Sequence, residues 1–161
     1  MRWRVFRHLQ EDEILNNMIQ YIVKGPITSE MIATSVSALG SRKDCGGHSI
    51  FLGQVRDDTV DGKKVAAIEY SAYEPMVAAE AEKIRQLILK EYDDVISLTV
   101  IHSEGVVRAG ELSLFVMVSA GHRHQAAAAC TRAVEIIKER LPVWKKELFD
   151  DQSHRWKENE L

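Results

Sequence analysis

Cysteine is scarce in this chain. Cys45 and Cys130 are the only two, and neither sits in a CxxC pair or at a metal-type spacing. That argues against a disulfide framework or a cysteine-held zinc site, and a reducing cytosol suits such usage. Cys130 lies in an alanine-rich helical run and reads as a buried thiol. Long apolar runs are missing as well: "LSLFVMVSA", residues 112–120, is the longest, far short of the ~20 residues a membrane helix needs. The opening "MRWRVFRHLQEDE" is basic and then acidic, without the apolar core of a secretory signal. Nor is there a surplus of basic charge. With 21 Lys and Arg against 24 Asp and Glu, the net charge is −3, which argues against bulk affinity for nucleic acid or a membrane. Any anion must therefore be held by a local cluster. The usual reactive signatures are absent too: no Gly-rich phosphate loop, no GxSxG elbow, no HExxH, and no cysteine in an activating setting. A phosphoryl-transfer enzyme would also want a carboxylate cluster for Mg²⁺, and none is evident.

What is present suits one domain. A length of 161 residues, 45% hydrophobic and 28% charged, is enough to bury a core without metal or disulfide support. Residues 18–161 are expected to form that domain, with residues 1–17 an extension outside it. "MIQYIV" reads as a strand, and "GPITSEMIATSVSAL" as a helix capped by Thr28 or Ser29. "GHSIFLGQVR" and "VAAIEYSAY" read as strands joined through a hairpin at Asp61-Gly62, a pair that suits two positive-φ turn positions. Pro75 suits the first turn of a helix whose core face would be Met76, Ile84, Leu87 and Ile88. "VISLTVIH" is a strand, "SEGVVRAGE" a turn-rich connection, and "LSLFVMVSA" a strand buried on both sides. A last helix spans about His122 to Arg140, with Ala126, Cys130, Val134, Ile137 and Leu141 as its buried stripe and Pro142 as its stop. Strands joined partly by hairpins and partly by helices predict an α+β fold with a mixed sheet.

Chemistry concentrates at the two ends of that last helix. "SAGHRHQ" sets His122 and Arg123 at its start, where unpaired N–H groups and the positive dipole end favour an anion. A plain surface His-Arg pair is the alternative. At the other end, "IIKERLPVWKKE" gathers Lys138, Arg140, Lys145 and Lys146 around Pro142. Clustered lysines have their ammonium forms disfavoured and become better nucleophiles or proton donors. A basic helix end complementing the dipole is the blander reading. Arg56 closes its strand, as an anion ligand or as a solvated strand end. Phe51 and Trp144 are either core or ligand-stacking aromatics. His122 and Lys138 stand roughly 24 Å apart along a straight helix, so one chain cannot bring both to one small substrate. Two sites, or a twofold dimer joining one helix start to the other's end, are the ways out.

"FLGQVRD", "YSAYEPM", "VIHSEGVVRAGE", "SAGHRHQA" and "IIKERLPVWKKE" occur in an order and spacing that resembles the large, catalytic subunit family of molybdopterin synthase, over about residues 18 to 157. The resemblance implies an α/β hammerhead fold with an added small antiparallel β subdomain. It implies a homodimer within a heterotetramer, in which a small ubiquitin-like subunit docks on each protomer and threads a thiocarboxylated Gly-Gly tail into a pocket. The implied reaction is sulfur transfer to cyclic pyranopterin monophosphate, forming the dithiolene of molybdopterin, with no metal or organic cofactor of the enzyme's own. On the same footing Lys138 is implied as the catalytic lysine nearest the thiocarboxylate and Lys145 as the second pocket lysine. Arg56, His122 and Arg123 are implied as substrate ligands, the last two from the neighbouring protomer, and Phe51 as a pocket-lining aromatic. Arg140 and Lys146 are further members of the basic set. Gly121 departs from the pattern, standing where the family often carries a larger or different residue. A different class of function, a non-catalytic adaptor binding a ubiquitin-like tail or a phosphorylated ligand, would use the same groove without turnover.

Overall fold

The computed structural model describes residues 20–157, so the expected extension over residues 1–17 and the start of the first predicted strand lie outside the described residues. The chain runs β1 (Ile22–Lys24), α1 (Ser29–Ala38), β2 (Gly47–Gln54), β3 (Thr59–Val60), β4 (Lys63–Ala72), α2 (Glu74–Glu91), β5 (Val95–Arg108), β6 (Leu112–Ala120), α3 (Arg123–Arg140), β7 (Val143–Phe149) and β8 (His154–Lys157). The strands join in the order β2-β6-β5-β4-β7-β8, with β1 parallel to β5 and β3 antiparallel to β4. Among the described residues no helix is long and apolar enough to cross a membrane.

Strand β6 explains the layering. Leu114, Val116, Val118 and Ala120 belong to the main core, shared with Val77, Ala81, Ile84 and Ile88 of α2 and with Ala126, Ala129, Cys130, Ala133, Ile136 and Ile137 of α3. Phe115 and Met117, on the alternate positions, meet Val23, Ile27 and the apolar side of α1. A strand covered on both faces has no need for polar alternation, which is why "LSLFVMVSA" is nearly all apolar. The α1 start is capped by Thr28, whose hydroxyl accepts from the Met31 N–H at 3.3 Å. At the hairpin Asp61 (φ 51°) and Gly62 (φ 76°) take the two positive-φ positions expected of them, but the strand that turns back into β4 is the two-residue β3, while β2 pairs with β6 instead.

Three readings need correction. Met76 is exposed, and Val77 and Ala81 take its place on the buried face of α2. Because α2 begins at Glu74, before Pro75, its inward stripe runs 77, 81, 84, 88. Val134 of α3 is only partly buried, while Ala129, Ala133 and Ile136 complete the inner face. "SEGVVRAGE" is not mainly a turn: β5 continues to Arg108. Residues Val95–His102 pair with β6, and Gly105–Arg108 pair with β4. Gly105, at φ 89°, stands where the strand changes partner, a conformation that glycine adopts without strain. The segment after Pro142, left unassigned in the sequence, is β7. It lies antiparallel to β4 and β8, and together with β3 these strands make a small antiparallel unit beside the helix-covered sheet.

Candidate active site

Register and pleat decide which basic residues converge. Pro142 ends α3, and the chain returns as β7, placing Lys145 opposite Tyr70 of β4 and Lys157 of β8. Alternation then sends Lys145 and Glu147 to one face, and Trp144 and Lys146 to the other. The inward face closes a cavity of about 460 Å³ against the end of α3 and the β2 edge. Phe51, Arg56, Lys138 and Lys145, four of the residues expected to act, all line it. The Lys138 ammonium lies 5.4 Å from the centroid of the Phe51 ring, a cation–π contact that holds it at the wall. Arg56, largely exposed, pairs with Asp58 at 3.0 Å. Arg140 and Lys146 do not reach this space. Arg140 is tied to Glu80 of α2 at 2.8 Å, and Lys146 pairs with Glu69 on the opposite face, over the Trp156 ring. Trp144 is half exposed on that outer face and is neither core nor cavity wall.

Several wall residues lie within the quoted motifs, although the sequence alone assigns them no role. His102 is 6% exposed, and its Nδ1 lies 2.8 Å from the Ser103 carbonyl, to which it donates. That fixes the tautomer and leaves Nε2 as the acceptor. Burial pushes its pKa down to about 4, the Ser103 bond opposes this, and the Lys145 charge pushes the same way as burial. His102 is therefore a neutral group in a cationic wall. The Tyr70 ring packs edge-on at 4.9 Å, and the Tyr70 hydroxyl donates to Ser113 Oγ at 3.0 Å, with burial raising the phenol's pKa. Glu147 is 3% exposed and is neutralised by Arg155 at 2.9 Å and Lys157 at 3.7 Å. Recognising 143–149 as a strand would have exposed the 145/147 alternation that puts Glu147 beside Lys145.

Among the charged lining residues, Arg56, Lys138, Lys145 and Lys157 face Asp58 and Glu147. Four cations against two carboxylates make the cavity locally positive in a chain of net charge −3, so it suits an anion. Among the described residues no cluster of histidine, cysteine and carboxylates is arranged to hold a metal ion.

His122 and Arg123 lie elsewhere. Helix α3 is continuous from Arg123 to Arg140, so the separation of roughly 24 Å between His122 and Lys138 stands. His122 lines a shallow depression with Asp93, Asp94, His124 and Gln125. Its main-chain N–H donates to Asp94 Oδ2 at 2.6 Å, so part of the helix-start donor set expected for an anion is already taken by a carboxylate. The His122 imidazole, bonded to the same oxygen, and the Arg123 side chain remain exposed.

Comparison with known proteins adds the family. The model described as MoaE protein matches residues 23–140. A molybdopterin synthase catalytic subunit from Dictyostelium discoideum is 40% identical over 116 residues, covering 71% of this chain and 73% of that protein. One from Drosophila willistoni is 38% identical over 134 residues, 83% of this chain; the chain spans only 36% of that relative's length. Among solved structures, molybdopterin synthase from Staphylococcus aureus superposes with a TM-score of 0.76 at 29% identity, covering 86% of this chain and 96% of that one. A complex of subunits 1 and 2 of molybdopterin-converting factor from Helicobacter pylori shares the fold at 21% identity and a TM-score of 0.71. The α/β hammerhead with its small antiparallel β subdomain is thus the fold of this chain.

Proposed function

Since the chain belongs to the MoaE protein family, we propose that it is a molybdopterin synthase catalytic subunit, a sulfurtransferase acting in the cytosol. It takes sulfur from the C-terminal thiocarboxylate of a small ubiquitin-like carrier and delivers it to cyclic pyranopterin monophosphate, and two carriers in succession complete the dithiolene. The observation that carries this reading is the convergence of Phe51, Arg56, Lys138 and Lys145 on one locally positive cavity. A cyclic phosphate needs cations at its seat, and a sulfur donor arriving in trans removes the need for a cysteine nucleophile, which the cavity lining does not contain. Lys138 is the proton donor or activator at the thiocarboxylate, and Lys145 serves the same pocket. Arg56 holds the anion, and Phe51 fixes the position of Lys138.

His122 and Arg123 complete the substrate seat from the neighbouring protomer of a homodimer, with a carrier on each protomer making a heterotetramer. Their distance from Lys138 along one rigid helix supports this arrangement, because a twofold axis brings the start of one α3 to the end of the other. The test is reconstituted turnover. The protein, a thiocarboxylated small subunit and cyclic pyranopterin monophosphate are combined, and dithiolene product is followed by mass spectrometry with Lys138→Ala alongside. Product from the parent and none from the variant is the expected outcome. Carrier binding without any product from the parent would favour the adaptor reading.

A further inference from the structure

His122 is the N-cap of α3, yet its side chain makes no capping bond to the helix. The oxygen that meets this helix start comes from across the fold. Asp94, in the turn before β5, sets Oδ2 2.6 Å from the His122 main-chain N and 3.0 Å from its Nδ1. The turn is itself tied to the helix start. Gly121 N–H donates to the Asp94 carbonyl at 3.1 Å, and Asp94 N–H donates to Gln125 Oε1 at 3.0 Å. Gln125 Nε2 then donates to Asp93 Oδ1 at 2.9 Å. Gly121 makes room for the arrangement: a Cβ built there would overlap Asp94 Oδ1.

We infer that Asp94 is a positioning residue for His122, fixing the imidazole so that Nε2 is the nitrogen presented to an incoming anion, and that Gly121 is required because its missing Cβ is the space the carboxylate occupies. A carboxylate is an acceptor only, so the nitrogen bonded to it, Nδ1, carries a proton in both charge states of the ring. In the imidazolium both nitrogens carry protons, so with Nδ1–H committed to Asp94 the Nε2–H is the donor left for a phosphate oxygen, whereas the neutral Nδ1–H ring offers only a lone pair there. The main-chain N–H holds the carboxylate against the helix start, and the exposed ring is tied to that fixed oxygen through Nδ1. The same logic, a buried-side acceptor orienting a histidine whose other nitrogen does the work, governs metal-bound and catalytic histidines generally. The inference rests on the reading that His122 seats the substrate.

The experiment combines ¹⁵N NMR of the histidine rings in the free protein with the apparent KM for cyclic pyranopterin monophosphate in the reconstituted enzyme. Asp94→Ala, His122→Ala, the double variant and Gly121→Ala are measured beside the parent. The parent His122 is expected as the Nδ1–H tautomer, and Asp94→Ala is expected to populate the Nε2–H tautomer. Asp94→Ala should raise KM on the order of tenfold, the equivalent of one charge-assisted hydrogen bond, with kcat little changed. Asp94→Ala made on His122→Ala should add nothing, and Gly121→Ala should reproduce Asp94→Ala. A parent ring in the Nε2–H form would overturn the inference, and so would an equal loss from Asp94→Ala with and without His122, the mark of a merely structural role. If His122→Ala leaves KM unchanged, the substrate-seat reading itself fails, and the inference with it. If only Asp94→Ala is silent, the inference alone fails.

Discussion

Replacing His102 with Phe should flatten the acid limb of this protein's stability curve. In the folded chain the His102 pKa is pushed from 6.5 down to about 4 by burial beside Lys145. The unfolded chain therefore binds a proton that the folded chain refuses whenever the pH lies between those values, and stability falls as pH falls through that interval. Above 6.5 both states are neutral and the site contributes no slope; well below 4 both are charged and the slope vanishes again. Between pH 7 and pH 4.5 the linkage amounts to about 2 kcal/mol, from a shift of ~1.4 kcal/mol per unit acting over most of the interval.

The other shifted groups act mostly outside this window. Asp44, Asp57, Asp151 and Glu82 are held low by hydrogen bonds from Arg42, Lys64, Lys63 and Arg85, so their stabilising contribution is lost mainly at more acidic pH, with Glu82, ordinarily 4.5, entering only at the window's acid edge. Tyr21, Tyr70 and Cys130 are raised by burial and titrate on the alkaline side. Urea unfolding at half-unit steps from pH 7 to 4.5 gives the curve, provided the slope against urea stays constant. Phe keeps an aromatic ring against Tyr70 while removing the titrating nitrogens. The parent should lose about 2 kcal/mol across the window and His102→Phe only a few tenths, whatever their offset at pH 7. A parent that is level from pH 7 to 5, or a variant that keeps the parent's slope, would refute the assignment of a neutral imidazole to the cavity wall.

Three further substitutions test separate parts of the structure. Gly46→Ala should destabilise the fold by about 1–3 kcal/mol in urea or thermal unfolding, because a Cβ there overlaps the Gly121 carbonyl, a main-chain atom that cannot swing aside. Ser103→Ala should be neutral or stabilising by up to about 1 kcal/mol, since its fully buried Oγ has no partner among the described residues; a loss above 1 kcal/mol would reveal a bond the geometry does not contain. Lys138→Ala should cost no more than about 1 kcal/mol, the worth of its contact with Phe51, while abolishing dithiolene formation. A large drop in melting temperature would recast Lys138 as structural.

The elements legible in the sequence are those whose local chemistry and tertiary setting agree. Thr28, Asp61-Gly62, Pro75 and Pro142 each act through the nearest few backbone groups, and each stands where its chemistry places it. The continuation of β5 past Gly105 was hidden because a glycine at a strand junction looks the same as one in a turn; the strand survives there through pairing with β4, dozens of residues away. Strand β7 was hidden for a related reason. "VWKKELF" shows little simple apolar alternation, since one face bears Lys145 and Glu147 around a polar cavity and the other bears Trp144 and Lys146. The family resemblance points to Lys138, Lys145, Arg56 and Phe51; the structure separates the lysines from their neighbours, since the pleat of β7 sends Lys145 and Lys146 to opposite faces and the turn of α3 aims Lys138 at the cavity and Arg140 at Glu80.

His102 shows where reading a sequence stops and why the cavity needs more than cations. A wall made only of lysine and arginine would hold any anion of the right size, because a point charge sets few directional limits. A neutral imidazole with Nδ1 committed to Ser103 offers one lone pair at Nε2, which a fully ionised phosphate oxygen has no hydrogen to engage. An N–H or O–H on the rest of the ligand is what such an acceptor rewards. The cations supply attraction for charge, and the neutral His102 ring adds no further cation to the wall. Keeping that acceptor neutral beside Lys145 is what burial under Tyr70 achieves. If the imidazole were solvated, its ordinary pKa would leave part of the population charged near neutral pH, adding another cation and removing the acceptor. The slope expected on the acid limb and the neutral state of the cavity wall are thus two consequences of one desolvated ring.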